Sequence, residues 1–200
     1  MPRALRKVQM VPLLLLLLSS PKVLSSAQLP SGTIDDPEVY RVYAAWARIV
    51  AGGPGTRRIA LLEKTRDYHR CSPSLPNDWR AAWQNYQAEN AHPRQLRSDA
   101  TIGLPYQLIS LKEFSALGGN LPDGQERNRA LSEAYTHYPQ GRIWAVSAVG
   151  FDSSRTQAVF ATEFHCGFDC VGGSSMFMVK KGGEWVPARA KGLGVCMWIS

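Results

Sequence analysis

Ile143-Trp-Ala-Val-Ser-Ala-Val-Gly-Phe151 and Thr156-Gln-Ala-Val-Phe-Ala-Thr-Glu-Phe-His-Cys166, joined by Asp152-Ser-Ser-Arg155, are the residues on which the fold turns. Both segments are rich in aromatic and β-branched residues, and the four residues between them carry turn chemistry, so together they predict a β-hairpin. A side-chain period of two sets Ala158, Phe160, Thr162, Phe164 and Cys166 on one face of the second strand. Gln157, Val159, Ala161, Glu163 and His165 fall on the other. The first face is expected to be buried and the second half-wet.

Downstream, Gly167 to Ser174 is expected to be a loop. Met176 to Lys180 and Glu184 to Val186 flank Lys181-Gly182-Gly183, where paired glycines supply the positive φ of a tight hairpin turn. Val195 to Ser200 is short, apolar and free of breakers, and predicts a final strand.

Upstream the periodicity is helical. Asp35 or Asp36 can cap a helix with Pro37 in its first turn, and Val39, Tyr43, Trp46, Ile49 and Val50 mark its inward face before Gly52-Gly53. Arg58 to Glu63 is a strand candidate, followed by a loop over residues 65–76. A second helix starts at Asn77-Asp78, with Trp79, Ala82, Trp83 and Tyr86 sharing a face. Tyr106 to Ile109 is one more strand, and Leu117 to Gly124 a dense loop. Gln125 to Tyr138 predicts a third helix, with Leu131, Ala134, Tyr135 and Tyr138 inward and Pro139 as its stop.

The expected fold class is therefore α+β, about three N-terminal and central helices packed on a mainly antiparallel C-terminal sheet of five to seven strands. One domain over residues 28–200 accommodates it, since a chain of about 173 residues buries roughly 70% of its unfolded surface.

Residues 1–27 predict a secretory signal peptide: Arg3, Arg6 and Lys7 precede the apolar run Val11 to Leu18, and Ser25-Ser26-Ala27 offers small residues for cleavage. The run is interrupted by Pro12, Pro21 and Lys22, too short for a bilayer span of about 20 residues. Cleavage reduces the net charge from +7 to +3, with 19 basic against 16 acidic residues. The remaining close basic pairs, Arg57-Arg58 and Lys180-Lys181, predict a solvated surface rather than a nucleic-acid footprint.

The residues from 135 onward resemble a group of exported bacterial proteins of unknown function. The likeness rests on a helix ending in Tyr138-Pro-x-Gly141, on Ser147-x-Val-Gly-Phe-Asp152 and on Thr156-Gln-Ala158. It continues through a paired-cysteine Cys-Gly loop with further glycines, the Lys-x-Gly-x-Trp turn from Lys181 to Trp185, and the terminal Trp198-Ile-Ser200. In that group a glycine directly follows the second cysteine, whereas here Val171 precedes Gly172-Gly173. The resemblance implies a bacterial protein of the periplasm or exterior and carries no activity, substrate or catalytic residue with it.

Chemical motifs are few. The chain contains no Gly-x-Ser-x-Gly elbow, zinc helix, P-loop or dinucleotide fingerprint in a strand-to-helix setting. Glu163 and His165 share one strand face two residues apart, where a carboxylate can orient an imidazole as a general base. The equally simple reading is a polar strand face in water. Two functions stay open: a non-enzymatic envelope binding module using its sheet or the Gly167 to Ser175 loop on an unknown protein or envelope ligand, and a small extracytoplasmic hydrolase using His165 with Glu163 or Asp169. Neither requires a cofactor, a nucleic acid or a membrane span in the mature chain. His69, His92 and His137 are expected to be ordinary surface histidines.

Cys71, Cys166, Cys170 and Cys196 are even in number behind an export signal, which predicts two disulfides. Cys166 with Cys170 and Cys71 with Cys196 is the expected pairing. A zinc site built from His165, Cys166 and Cys170 with Cys71 or Cys196, and a nucleophilic cysteine beside His165, are the rival readings.

Overall fold

The computed structural model describes residues 32–50, 58–66, 73–100, 102, 104–119, 124–167, 169–189, 192–194 and 196–199. The signal segment, the Gly52-Gly53 stop, His69 and Cys71 lie outside the described residues.

Among the described residues, four α-helices accompany eight strands: α1 (Pro37–Val50), β1 (Ile59–Leu62), α2 (Arg80–Glu89), β2 (Tyr106–Ile109), α3 (Leu111–Gly119), α4 (Gln125–Thr136), β3 (Ile143–Val146), β4 (Gly150–Phe151), β5 (Gln157–His165), β6 (Val171–Lys181), β7 (Glu184–Pro187) and β8 (Met197–Ile199). The strands form one sheet in the order β2-β1-β3-β5-β6-β7, with β4 also on β5 and β8 also on β6. Pairing from β3 onward is antiparallel, but β1 is parallel to both β2 and β3. The α+β class therefore holds, with a sheet that is mixed rather than antiparallel throughout and that has eight strands among the described residues where five to seven were expected. The strands expected at Arg58 to Glu63 and Tyr106 to Ile109 extend it, β1 pairing with β3 and β2 with β1.

The expectation of about three helices is also corrected. The fourth, α3, begins at a capping box: Ser110 Oγ accepts the Glu113 N–H at 3.0 Å, in the spacing Ser-x-x-Glu that starts helices. Leu111, Phe114 and Leu117 follow at helical intervals.

Local signals account for most elements. Asp36 is the cap of α1, its Oδ1 accepting the Glu38 N–H at 2.9 Å. Val39, Tyr43 and Trp46 are buried against the sheet as expected, whereas Ile49 is 47% exposed. It overhangs an apolar hollow of about 190 Å³ rather than the core. The β6 to β7 turn places Gly182 at φ 57° and Gly183 at φ 86°, the left-handed pair that a two-residue hairpin requires.

Both sheet faces are covered. α1 packs with Ile59, Leu61, Trp144, Val146, Ala158, Phe160 and Met178 on one side. Trp79, Ala82 and Tyr86 at the start and middle of α2 pack with Leu131 and Tyr135 of α4 on the other, over Ala60, Leu62, Ile143, Ala145, Val159 and Ala161. The half-wet face expected for β5 is therefore wrong: Glu163 is only 2% exposed. Its neighbours Val159 and Ala161 are apolar on that same face, the pattern of a strand buried on both sides.

The Gly167 to Ser174 loop is shorter than expected, since β6 already begins at Val171. Gly172 and Gly173 are ladder residues facing Phe164 and Glu163 of β5. A Cβ on Gly172 would come within 2.7 Å of the Phe164 ring, and one on Gly173 within 2.2 Å of the Trp198 ring. These glycines are there so that two aromatic rings can lie flat on the sheet.

Candidate functional site

Glu163 and His165 are brought together as the strand period requires. His165 Nε2 lies 2.7 Å from Glu163 Oε1, but off the line of a hydrogen bond, so the contact is a close approach without an aligned proton. The second carboxylate oxygen, Oε2, is buried and has no hydrogen-bond partner among the described residues. Phe114 of α3 closes edge-on over the imidazole, with ring centroids 4.9 Å apart. The His165 side chain keeps 14% of its surface in water, and because Nε2 is turned inward, that surface belongs to its other ring atoms. Asp169 is exposed on the turn that precedes Cys170. His92 and His137 are exposed, as expected for surface histidines.

Cys166 and Cys170 are disulfide-bonded, Cα to Cα 5.1 Å. That bond takes both sulfurs out of the zinc reading, which needs thiolates. It also removes Cys166 as a nucleophile beside His165. No cysteine among the described residues is free, Cys196 included. Its expected partner Cys71 lies outside the described residues. No group of three His, Cys, Asp or Glu among the described residues could hold a metal ion.

A concavity elsewhere is a cleft of about 660 Å³ between the start of α1, one side of α2 and the segment Ala148 to Arg155. Its back wall is built by the Ser147 to Asp152 motif. Ser147 breaks the ladder between β3 and β4, and its Oγ accepts the Ala161 N–H at 2.7 Å in place of a backbone carbonyl. Asn90 then fills the gap, donating to the carbonyls of Tyr86 and Ala148 and accepting the Ala148 N–H at 2.8 Å. Gly150 lets β4 lie directly on α2, since a Cβ there would sit 2.1 Å from the Tyr86 backbone nitrogen. Asn85 completes the seam by accepting the Phe151 N–H at 2.7 Å.

The rim is charged. Arg155 adopts φ 55°, stacks its guanidinium 4.3 Å from the Phe151 ring centre and pairs with Asp36 at the cap of α1. A guanidinium over an aromatic face is attracted by the ring quadrupole. Arg94 pairs with Glu89 on the opposite side. Asp152 accepts the N–H groups of Thr156 and Gln157 at 2.7 Å and the Ser154 hydroxyl. Partial burial alone would raise its carboxyl, but the hydrogen bonds from Ser154, Gln157 and Thr156 bring it below the usual carboxylate value.

A second polar anchor sits behind this rim. Glu38 of α1 receives Lys180 at 2.7 Å, the Trp185 indole at 2.8 Å and Arg41 at 2.9 Å. Lys180 is thus a structural cation, not part of the solvated pair expected with Lys181. Sequence reading missed Asp36, Phe151, Asp152 and Arg155 as a cluster. Their one local signal was the Ser147 to Asp152 motif itself, and Asp36 lies 119 residues from Arg155.

The chain was compared with models of protein families, with curated proteins and with solved structures, and no family model, no curated protein and no solved structure matches it.

Proposed function

We propose that this chain is an exported bacterial binding module, working in the periplasm or outside the cell, whose ligand seat is the cleft between α1, α2 and the Phe151 to Arg155 turn. The observation that carries the reading is the Arg155 guanidinium stacked on Phe151 and paired with Asp36 at the mouth of a 660 Å³ cleft. Sites for small molecules are concave and largely apolar, with a few placed polar groups, and Ile34, Val39, Val149 and Phe151 supply the apolar part here. Each rim carries one cation beside one carboxylate, Arg155 with Asp36 and Arg94 with Glu89, which suits a ligand that carries both charges, such as an amino acid or a short peptide. The Gly167 to Ser175 segment supports this role less well, because most of it is strand under two aromatic rings.

The test is a titration of isotope-labelled mature protein with amino acids and dipeptides, followed by amide shifts. Saturable shifts confined to residues 81–89 and 148–155, lost in Arg155→Ala, support the proposal. Shifts absent throughout the panel, or unaffected by Arg155→Ala, overturn it.

A second reading, a small extracytoplasmic hydrolase acting through His165, is favoured by the 2.7 Å approach of Glu163 to Nε2 and by the residual exposure of the other ring atoms. A carboxylate behind one imidazole nitrogen is how a general base is oriented. Asp169, on an exposed turn, is the other carboxylate expected to serve this role. Hydrolysis of ester, amide or glycosidic reporters that disappears in His165→Ala and persists in Asp169→Ala supports this reading, and equal turnover by wild type and His165→Ala removes it.

A further inference from the structure

A groove on the outer side of α1 has a different character from the cleft. About 540 Å³ in volume, it is lined by Arg41 and Arg48 of α1, by Arg97 from the opposite loop, and by Tyr40, Ala44 and Asp35 among others. Three guanidinium groups and the Asp35 carboxylate line it, with Asp99 and Glu38 paired to Arg97 and Arg41 beside it. We propose that this groove is a binding site for a small polyanion, two or more carboxylate or phosphate groups joined by short spacers.

Arg97 is the fixed member. Its backbone N–H is accepted by the Tyr40 hydroxyl at 2.9 Å, and its carbonyl accepts the Tyr106 hydroxyl. Its Nε and Nη2 are held bidentately by Asp99 at 2.8 and 2.7 Å. Two tyrosines therefore hold its backbone and one carboxylate its guanidinium. What remains of its fork is Nη1, 3.9 Å from the exposed Asp35. A guanidinium held in one orientation loses less entropy on meeting an anion than a freely rotating one.

Arg41 and Arg48 supply the second contact. Seven residues apart, they fall on one face of α1 and are separated by about 10.5 Å along the axis. Arg48 has no ion-pair partner among the described residues. Arg41 gives only Nη1 to Glu38, a carboxylate that also neutralises Lys180, so one negative charge serves two cations there. Arg41 keeps 67% of its side-chain surface in water. Ala44 between them lines the floor of the groove, and the long side chains of Arg41 and Arg48 can bend over it toward a short ligand. Guanidinium N–H groups form charge-assisted bonds with carboxylate and phosphate alike, so either oxyanion can meet the N–H groups left over on Arg41 and Arg97 and the guanidinium of Arg48.

Calorimetric titration of the mature protein with citrate and, separately, with inorganic pyrophosphate at low ionic strength tests the site. At least one of the two is expected to bind, with roughly tenfold weaker binding in Arg48→Glu and in Arg97→Ala, the loss of one charge-assisted contact. Lys181→Glu, the same charge change as Arg48→Glu at the exposed hairpin tip, is expected to bind as wild type does. Binding of citrate alone identifies a carboxylate ligand, of pyrophosphate alone a phosphate ligand, and of both the shared oxyanion chemistry. Failure of both probes to bind overturns the proposal. An equal loss in Lys181→Glu does so too, because it shows attraction by net charge alone. All three side chains are exposed, and circular dichroism of each variant checks that the fold is kept.

Discussion

The indole Nε1 of Trp185 donates a 2.8 Å hydrogen bond to Oε1 of Glu38, 147 residues earlier in the chain. Lys180, five residues before Trp185 and across the same hairpin turn, reaches the same oxygen at 2.7 Å. The β6 to β7 hairpin is thereby clipped onto the first turn of α1, and the spacing from Gly182-Gly183 to Trp185 has a structural reason, although the lysine of the clip is Lys180 and not Lys181. The glycine pair turns the chain so that Trp185 stands opposite Lys180 and both point at one carboxylate.

That clip has an acid limit. Burial alone would raise the Glu38 carboxyl, but the bonds from Lys180, Trp185 and Arg41 outweigh it and hold it below its ordinary value of 4.5. A depressed folded-state value means a contribution fully present above pH 4.5 and lost as pH falls below it. Urea unfolding between pH 7 and pH 3 is expected to show a steeper acid loss in wild type than in Glu38→Gln. Parallel pH profiles for the two proteins would refute the assignment.

Gly150 is expected to be the least replaceable glycine in the cleft wall. A methyl group there meets backbone of α2 at 2.1 Å, which cannot rotate away, so Gly150→Ala costs about 3 kcal/mol in the manner of overpacked cores. Gly183→Ala has open space around it but φ 86°, and costs only about 1 kcal/mol. Chemical denaturation midpoints of the two variants rank them; the reverse order contradicts the close approach of β4 to α2.

Two tyrosines on the α4 side report on the other face. Burial pushes Tyr135 to about 12, and burial together with the Glu113 carboxylate does the same to Tyr138. Because the folded values lie above the ordinary 10.0, the fold loses stability as pH rises from 10 toward 12. Absorbance at the phenolate band is expected to show these two rings still protonated at pH 11, with Tyr138→Phe removing one late-titrating group.

The Cys166 to Cys170 bond closes a five-residue loop, for which chain-entropy reasoning gives about 2 kcal/mol. Cys166→Ser with Cys170→Ser is expected to lower stability by that order while leaving the sheet spectrum intact. Thiol titration of the denatured, unreduced mature protein is expected to return no free thiol, and a thiol count of two would break the second pairing.

Glu163 carries an uncompensated carboxylate oxygen in a nearly dry site, and an unpaired buried polar atom costs about 1 to 3 kcal/mol. Glu163→Gln, which removes the charge and keeps the shape, is expected to raise the denaturation midpoint at pH 8. A lowered midpoint would mean that the ionised carboxylate is compensated after all.

Local chemistry was enough to read the helix from Asp36 to Val50, the Gly182-Gly183 hairpin, the Trp79 to Tyr86 face and the closeness of Glu163 to His165, because caps, turns and side-chain periods act within a few residues. The cap of α3 at Ser110 and Glu113 was equally legible, being only three residues wide, and the apolar Val159 and Ala161 beside Glu163 already pointed to a strand covered on both faces. What no local signal carried was the partner of each face. A strand alternates in the same way whether water or α2 and α4 lie above it, and a surface arginine has the same sequence whether it points to solvent or, like Arg155, returns to Asp36. Tertiary packing alone added β1 and β2 in parallel to β3, buried Glu163, gathered Lys180 and Trp185 on Glu38, and enclosed the cleft beside Phe151. Each of these brings together residues far apart in the chain, and such contacts form only when several elements bury their apolar faces at once.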